Sequence, residues 1–260
     1  RAVTEVVALQ RVAGLRSATD GEFRRASWHM DFIYRLEGIS KAHDNLAVHF
    51  KNASGEIDFT PAALRVDGKI GLSETIFGDD FAFLRDQVAE GVTPKLTIPS
   101  PSMVHYRGGA ASIDPDVYAD VEDFWADLTA AYREQVRRVH DLGCTYLQLD
   151  DTSLAYLNDP EQRRAMADRG EDSEHLHEAY IRHLNEALAG RPEGLTVTTT
   201  CAGATSATRG WPRVATTSWP RRCSTSSRST ASSWSTTTSG REPSSRCVTS
   251  RPASWWCSGW

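Results

Sequence analysis

From Thr200 to Trp260 the chain contains no Leu, Ile, Phe, Met or Tyr, and no Lys, Asp, Asn, Gln or His. Ser, Thr and Arg dominate there, and six of the eight Trp and four of the five Cys fall in this segment. A packed core needs aliphatic side chains to offset the entropy of ordering the backbone, and two Val with scattered Trp do not supply it. Any fold must therefore be built from residues 1–199, a partial domain, and residues 200–260 are expected to be a disordered tail. A natural solvated linker is a poor match, because such segments are poor in aromatics. The excess of Ser, Thr, Arg, Trp, Cys and Pro is that of GC-rich coding DNA read out of frame.

The first 199 residues alternate between two periodicities. AVTEVVALQRVAG places apolar residues at helical spacing and closes on Gly14. LRSATDGEF reads as a short strand entering a polar loop, and ETIFGDDFAFLRDQVAEG as a helix leading into the strand PKLTIPS. The next helix puts Val117, Val121, Phe124, Leu128, Tyr132, Val136 and Val139 on one face and stops at Gly143. CTYLQLDD follows as a buried strand. EDSEHLHEAYIRHLNEALAG repeats the helical pattern with Leu176, Tyr180, Leu184 and Leu188, and GLTVTT is the next strand. The span 45–70 is irregular and fits a hairpin inserted in a loop.

This order predicts an α/β fold, a parallel sheet with helices outside it. A (β/α)8 barrel and a doubly wound sheet both place active sites at the carboxyl ends of the strands, so periodicity leaves the two open. Neither GxGxxG nor GxxxxGK[ST] is present to indicate a nucleotide fold. The net charge of −5 gives no electrostatic reason to expect nucleic acid as a partner. No apolar run approaches the length of a membrane span, so no membrane is expected. Cys144 is alone among residues 1–199, which suits a reducing, cytoplasmic setting. The chain opens RAVTEVVALQ, with no Met and inside a helical pattern, so a preceding piece is expected to be missing.

Polar residues gather where the strands end. Asp20, Glu22, Arg24 and Arg25 share one loop in TDGEFRRASWHMDF. Asp150 and Asp151 close the apolar strand LQLDD. Carboxylates in that position suit a cation or an amino group, and Asp151 suits a helix N-cap equally well. PSPSMVHYRGG offers Ser100, Ser102 and His105 in a loop stiffened by Pro. His29, His43, His49 and His140 lack metal-ligand spacing.

GLRSATDGEFRRASWHMDFIYRL, PKLTIPSPSMVHYR, FWADLTAAYREQVRRVHDLGCTYLQLDDTSLAYL and GLTVTT occur in the order found in the cobalamin-independent methionine synthase family. Over about residues 1–199 the chain resembles the short, single-barrel relatives of that family's catalytic domain. The resemblance implies a (β/α)8 TIM barrel, incomplete here. It implies transfer of a methyl group from 5-methyltetrahydrofolate, as its polyglutamate, to the thiol of homocysteine, giving methionine. In the family a zinc ion holds that thiol, and zinc favours the nucleophilic thiolate. The resemblance assigns Glu22 and Asp150 to the amino group of homocysteine. It brings Asp20, Arg24, Arg25, Ser100, Ser102, His105 and Asp151 into loops facing the same pocket. A thiol methyltransferase using another donor, such as a methylcorrinoid, and a non-catalytic fragment are the other readings. A barrel of the uroporphyrinogen decarboxylase type is disfavoured by TDGEFRR.

The family continues the strand TVTT with H-x-C-R-G-N, whose His and Cys are zinc ligands. Here the sequence reads TVTTTCAGAT, so Thr200 occupies the expected His position and Cys201 comes one place early. TTTCAGAT can be written as codons that, with one C restored, read TTHMCRGN. The same shifted frame turns ASSWSTTTSGREPSSR into a segment containing EYD, whose Glu is the family's third zinc ligand, and ASWWCSGW into KLVVLGL. A frameshift near codon 200 is therefore expected, with no zinc site in this chain and Cys223, Cys247 and Cys257 as out-of-frame residues. The resulting broken barrel is expected to expose strand edges.

Overall fold

In the computed structural model, residues 1–42 and 63–201 are described, with Cys201 by backbone alone. Backbone segments 48–52, 55–59, 245–251 and 254–258 are also described. His43, Cys223 and the side chains of His49, Cys247 and Cys257 lie outside what is described.

Helix α1 (Ala2–Val12) leads to the two-residue strand β1 (Ser17–Ala18), and the short helix α2 (Met30–Ile33) follows. Strands β2 (Glu37–Ala42) and β5 (Ala63–Gly71) pair antiparallel, as do β3 (Val48–Asn52) and β4 (Gly55–Phe59). Then come α3 (Gly78–Gln87), β6 (Thr93–Pro99), α4 (Ser102–His105), α5 (Val121–Asp141), β7 (Tyr146–Asp151), α6 (Ser153–Tyr156), α7 (Pro160–Asp168), α8 (Leu176–Ala187) and β8 (Thr196–Cys201). β1, β6, β7 and β8 lie side by side and parallel, which is the α/β arrangement expected from the alternation.

Within the segment expected as a tail, β9 (Ser245–Arg251) pairs antiparallel with β8, and β10 (Ser254–Ser258) with β9. These two segments depart from the expectation of disorder. They carry Val, Thr and Trp, residue types that suit a pleated backbone, and β8 presents an edge on which they can pair.

The core follows from two complementary stripes. Asp120 caps α5 by accepting the Glu122 amide at 2.9 Å. From there Phe124, Leu128, Tyr132, Val136 and Val139 are all buried, and Val121 packs beside them. They share one core with Leu96, Ile98, Leu147, Leu149 and Val197, the alternate residues of three parallel strands. The opposite face of those strands is polar. Thr97 is the register partner of Gln148, Gln148 of Thr198, and Asp150 of Thr200.

Candidate functional site

Because the four parallel strands run together, the loops leaving β1, β6 and β7 emerge on one side of the sheet. Glu22 sits in the loop after β1 with φ 58°, a left-handed backbone that a non-Gly residue adopts at a cost. The loop pins it there. Asp20 Oδ1 accepts the Glu22 amide at 3.0 Å, and the Glu22 carbonyl accepts the Arg25 amide at 2.9 Å. The Glu22 carboxylate is held through one oxygen. Thr97 Oγ1 donates to Oε1 at 2.7 Å, and Arg25 Nη1 lies 3.5 Å from the same atom. The Arg25 side chain is only 3% exposed, and its guanidinium rests over the Phe77 ring at 4.0 Å.

Asp150 ends β7 on the polar face. Its Oδ1 accepts Gln148 Nε2 at 2.6 Å and Thr200 Oγ1 at 3.1 Å. Burial pushes its carboxyl above the ordinary range, the bonds from Gln148 and Thr200 oppose that shift, the charge of Glu22 adds to it and Lys95 opposes it. The charge of Glu22 therefore reaches Asp150. Among the described residues, Glu22 Oε2 and Asp150 Oδ2 have no hydrogen-bond partner.

Asp151 points the other way, as alternation along a strand requires. It is 2% exposed and saturated. Ser100 and Ser102 both donate to Oδ2, Ser102 at 2.5 Å, while Ser153 Oγ and the Leu154 amide reach Oδ1 at 2.7 and 3.2 Å. Asp151 thus ties the loop after β6 to the first turn of α6 and supplies the cap that Thr152 does not.

The structure therefore brings Asp20, Glu22, Arg25 and Asp150 together. It gathers Ser100, Ser102 and Asp151 into a separate buried knot. Arg24 turns away to Asp80 at 3.2 Å and the Phe83 ring at 4.4 Å. His105 is buried beside Phe124 and Trp125, with Nδ1 3.0 Å from the Tyr180 hydroxyl. Lys95, Thr97 and Gln148, which touch the two carboxylates directly or through one another, escaped the sequence reading. The period-two alternation in KLTI and LQLD was the available signal.

Thr200 tests the fit of a zinc ion. Its hydroxyl donates to Asp150 and accepts the Asp151 amide at 3.2 Å, so a neutral, engaged oxygen stands where the resemblance expects an imidazole. Zinc takes thiolate, imidazole or carboxylate donors. Among the described residues no group of three or more His, Cys, Asp or Glu converges to hold a metal, and the residues present do not fit zinc. Among the described residues no helix is long and apolar enough to cross a membrane.

A Listeria monocytogenes protein of known structure, provisionally named a vitamin-B12-independent methionine synthase, matches 77% of this chain at 35% identity with a TM-score of 0.61. The chain is similar to that protein in sequence and in fold. The matched region covers 53% of the Listeria chain. A B12-independent methionine synthase from Shewanella sp. W3-18-1 matches 72% of this chain, and 47% of its own, at 18% identity with a TM-score of 0.50, a likeness of fold. The uncharacterized proteins YxjH and YxjG of Bacillus subtilis are 35% and 34% identical over 75% of the chain. The chain spans about half the length of these curated relatives. No family model matches it. The parallel β/α array is thus an incomplete (β/α)8 barrel of the methionine synthase kind.

Proposed function

We propose that this chain carries the amine-binding half of a zinc-dependent thiol methyltransferase of the cobalamin-independent methionine synthase family. The parent activity is methyl transfer from a methylated folate to the thiol of homocysteine, in the cytoplasm. Glu22 and Asp150 receive the ammonium of the amino-acid substrate. The observation that carries this reading is the pair of carboxylates at the ends of β1 and β7, which flank β6, each with one oxygen tied back and, among the described residues, one without a hydrogen-bond partner. Two fixed anions on the same side of the sheet suit a cationic group that donates three hydrogen bonds.

The thiol-activating half is absent from the chain as written. Thr200 replaces the His that would ligate zinc, and residues 200–260 are read as an out-of-frame tail beyond a partial barrel of residues 1–199. On this reading the chain transfers no methyl group, because among the described residues no metal-ligand group is present to lower the pKa of the acceptor thiol. The engaged Thr200 hydroxyl favours this inactive form over a methyltransferase using another donor, since a methylcorrinoid donor would need the same activated thiol.

Two measurements test the proposal. The DNA across codons 190–210 is expected to yield, on restoring one base, a frame reading HMCRGN. A sequence that admits no such frame refutes the out-of-frame tail. Metal analysis of the purified chain is expected to give well under one zinc per chain, and the frame-restored protein about one. A stoichiometric zinc bound by the chain as written overturns the assignment of Thr200.

A further inference from the structure

Glu22 and Asp150 are supported from behind in the same manner. Behind Glu22, the Thr97 hydroxyl donates to Oε1 at 2.7 Å and accepts Arg25 Nη1 at 3.4 Å. Behind Asp150, Gln148 Nε2 donates to Oδ1 at 2.6 Å, and Gln148 Oε1 accepts Lys95 Nζ at 3.1 Å. Each joins a cation, a neutral go-between and a carboxylate, and at Glu22 the cation Arg25 also lies 3.5 Å from the same Oε1 that Thr97 holds. Thr97 and Gln148 are register partners on the adjacent strands β6 and β7, so the two groups rise from one face of the sheet at one level.

Burial raises the Asp150 carboxyl and the charge of Glu22 adds to that shift, so the two carboxylates repel. A guanidinium clamped across both oxygens would cancel the repulsion but would occupy the atoms a ligand needs. A neutral go-between avoids that conflict. It fixes one oxygen, passes on the orientation set by the cation, and leaves the second oxygen open. Gln148 suits this task because Lys95 on one side and Asp150 on the other decide which end of its amide is which. At 8% exposure, Gln148 has little water to compete for those bonds.

We infer that Thr97 and Gln148 are positioning residues that turn Glu22 Oε2 and Asp150 Oδ2 toward one shared ligand ammonium. The inference rests on the amine-binding reading above.

The test uses the full 260-residue chain and two probes, L-methionine and its des-amino analogue 4-(methylsulfanyl)butanoate, titrated by calorimetry. The wild-type chain should prefer L-methionine. Thr97→Val and Gln148→Met should each weaken L-methionine about ten-fold, the cost of a misplaced charge-assisted bond, and leave the des-amino acid unchanged. Equal weakening of both probes, or of neither, overturns the positioning role. A wild-type chain with no preference for the amine refutes the amine-binding reading itself, and the shared ammonium with it. In that event ligand-free thermal unfolding still decides whether the go-betweens hold the carboxylates. Thr97→Val paired with Glu22→Gln, and Gln148→Met paired with Asp150→Asn, should give non-additive shifts in Tm, and additive shifts refute the coupling.

Discussion

His105 lies 3% exposed among Phe124, Trp125 and Tyr180, with Nδ1 3.0 Å from the Tyr180 hydroxyl. Burial lowers its pKa from 6.5 to about 4, so the folded chain holds it neutral. The unfolded chain protonates it below about 6.5. The resulting stability is therefore fully present above pH 6.5 and is lost as pH falls towards 4. The loss amounts to roughly 2–3 kcal/mol across that window. His29, lowered to about 4 by burial and then by the charge of Arg107, acts in the same direction. Urea unfolding at pH 7 and pH 4.5 should show this slope in the wild-type chain and a shallower one in His105→Gln. An unchanged slope would assign the acid sensitivity elsewhere. The same burial separates His105 from the Glu22–Asp150 group, although the sequence places it only a few residues beyond the end of β6.

Among the elements, β2 and β5 depend on one glycine. Gly38 has φ 79°, and a Cβ built there would lie 2.4 Å from the Gly68 carbonyl oxygen and 2.5 Å from that of Lys69. The register of the pair shifts at this point, between Glu37 and Ile39, so Gly38 is the residue at which the ladder is irregular. Gly38→Ala must move backbone rather than a flexible side chain. It should cost about 1–3 kcal/mol in denaturant titrations, while Gly91→Ala, which meets nothing within 4 Å, should cost less. Residues 45–70 read as irregular and fitting a hairpin, which the β3–β4 pair forms, but the pairing of β5 with β2 was not legible in the sequence. By contrast α5, α8, β6, β7 and β8 were legible, because long apolar periodicity and buried runs fix them whatever surrounds them. α7 buries only Met166 and offered no period to read. α3 begins late because Phe77, at φ 60°, cannot continue a helix backwards. Glu22 and Asp150 were singled out as polar residues at strand ends, and the resemblance assigned them a role. Their supports on β6 and β7 were not, because a polar residue alternating with Leu and Ile looks like solvent exposure until the neighbouring strand is known.

For the molecule as a unit, the sheet divides the chain into unlike halves. One face of β6, β7 and β8 joins the aliphatic and aromatic core with α5 and α8, and the other carries Thr97, Gln148, Asp150, Thr198 and Thr200. Of these, Thr97, Gln148 and Thr198 are buried, so carbon and heteroatom surface are both withdrawn from water when the sheet forms. The two kinds of surface have opposite effects on the heat absorbed per degree. Exposing apolar area raises the heat capacity, and exposing polar area lowers it. Calorimetric unfolding should accordingly give a heat-capacity increment below the usual ~12–15 cal/mol/K per residue, and a correspondingly flat stability curve. A chain built this way loses little stability on cooling, and its tolerance of low temperature is set by the hydroxyls and amides lining one side of a sheet.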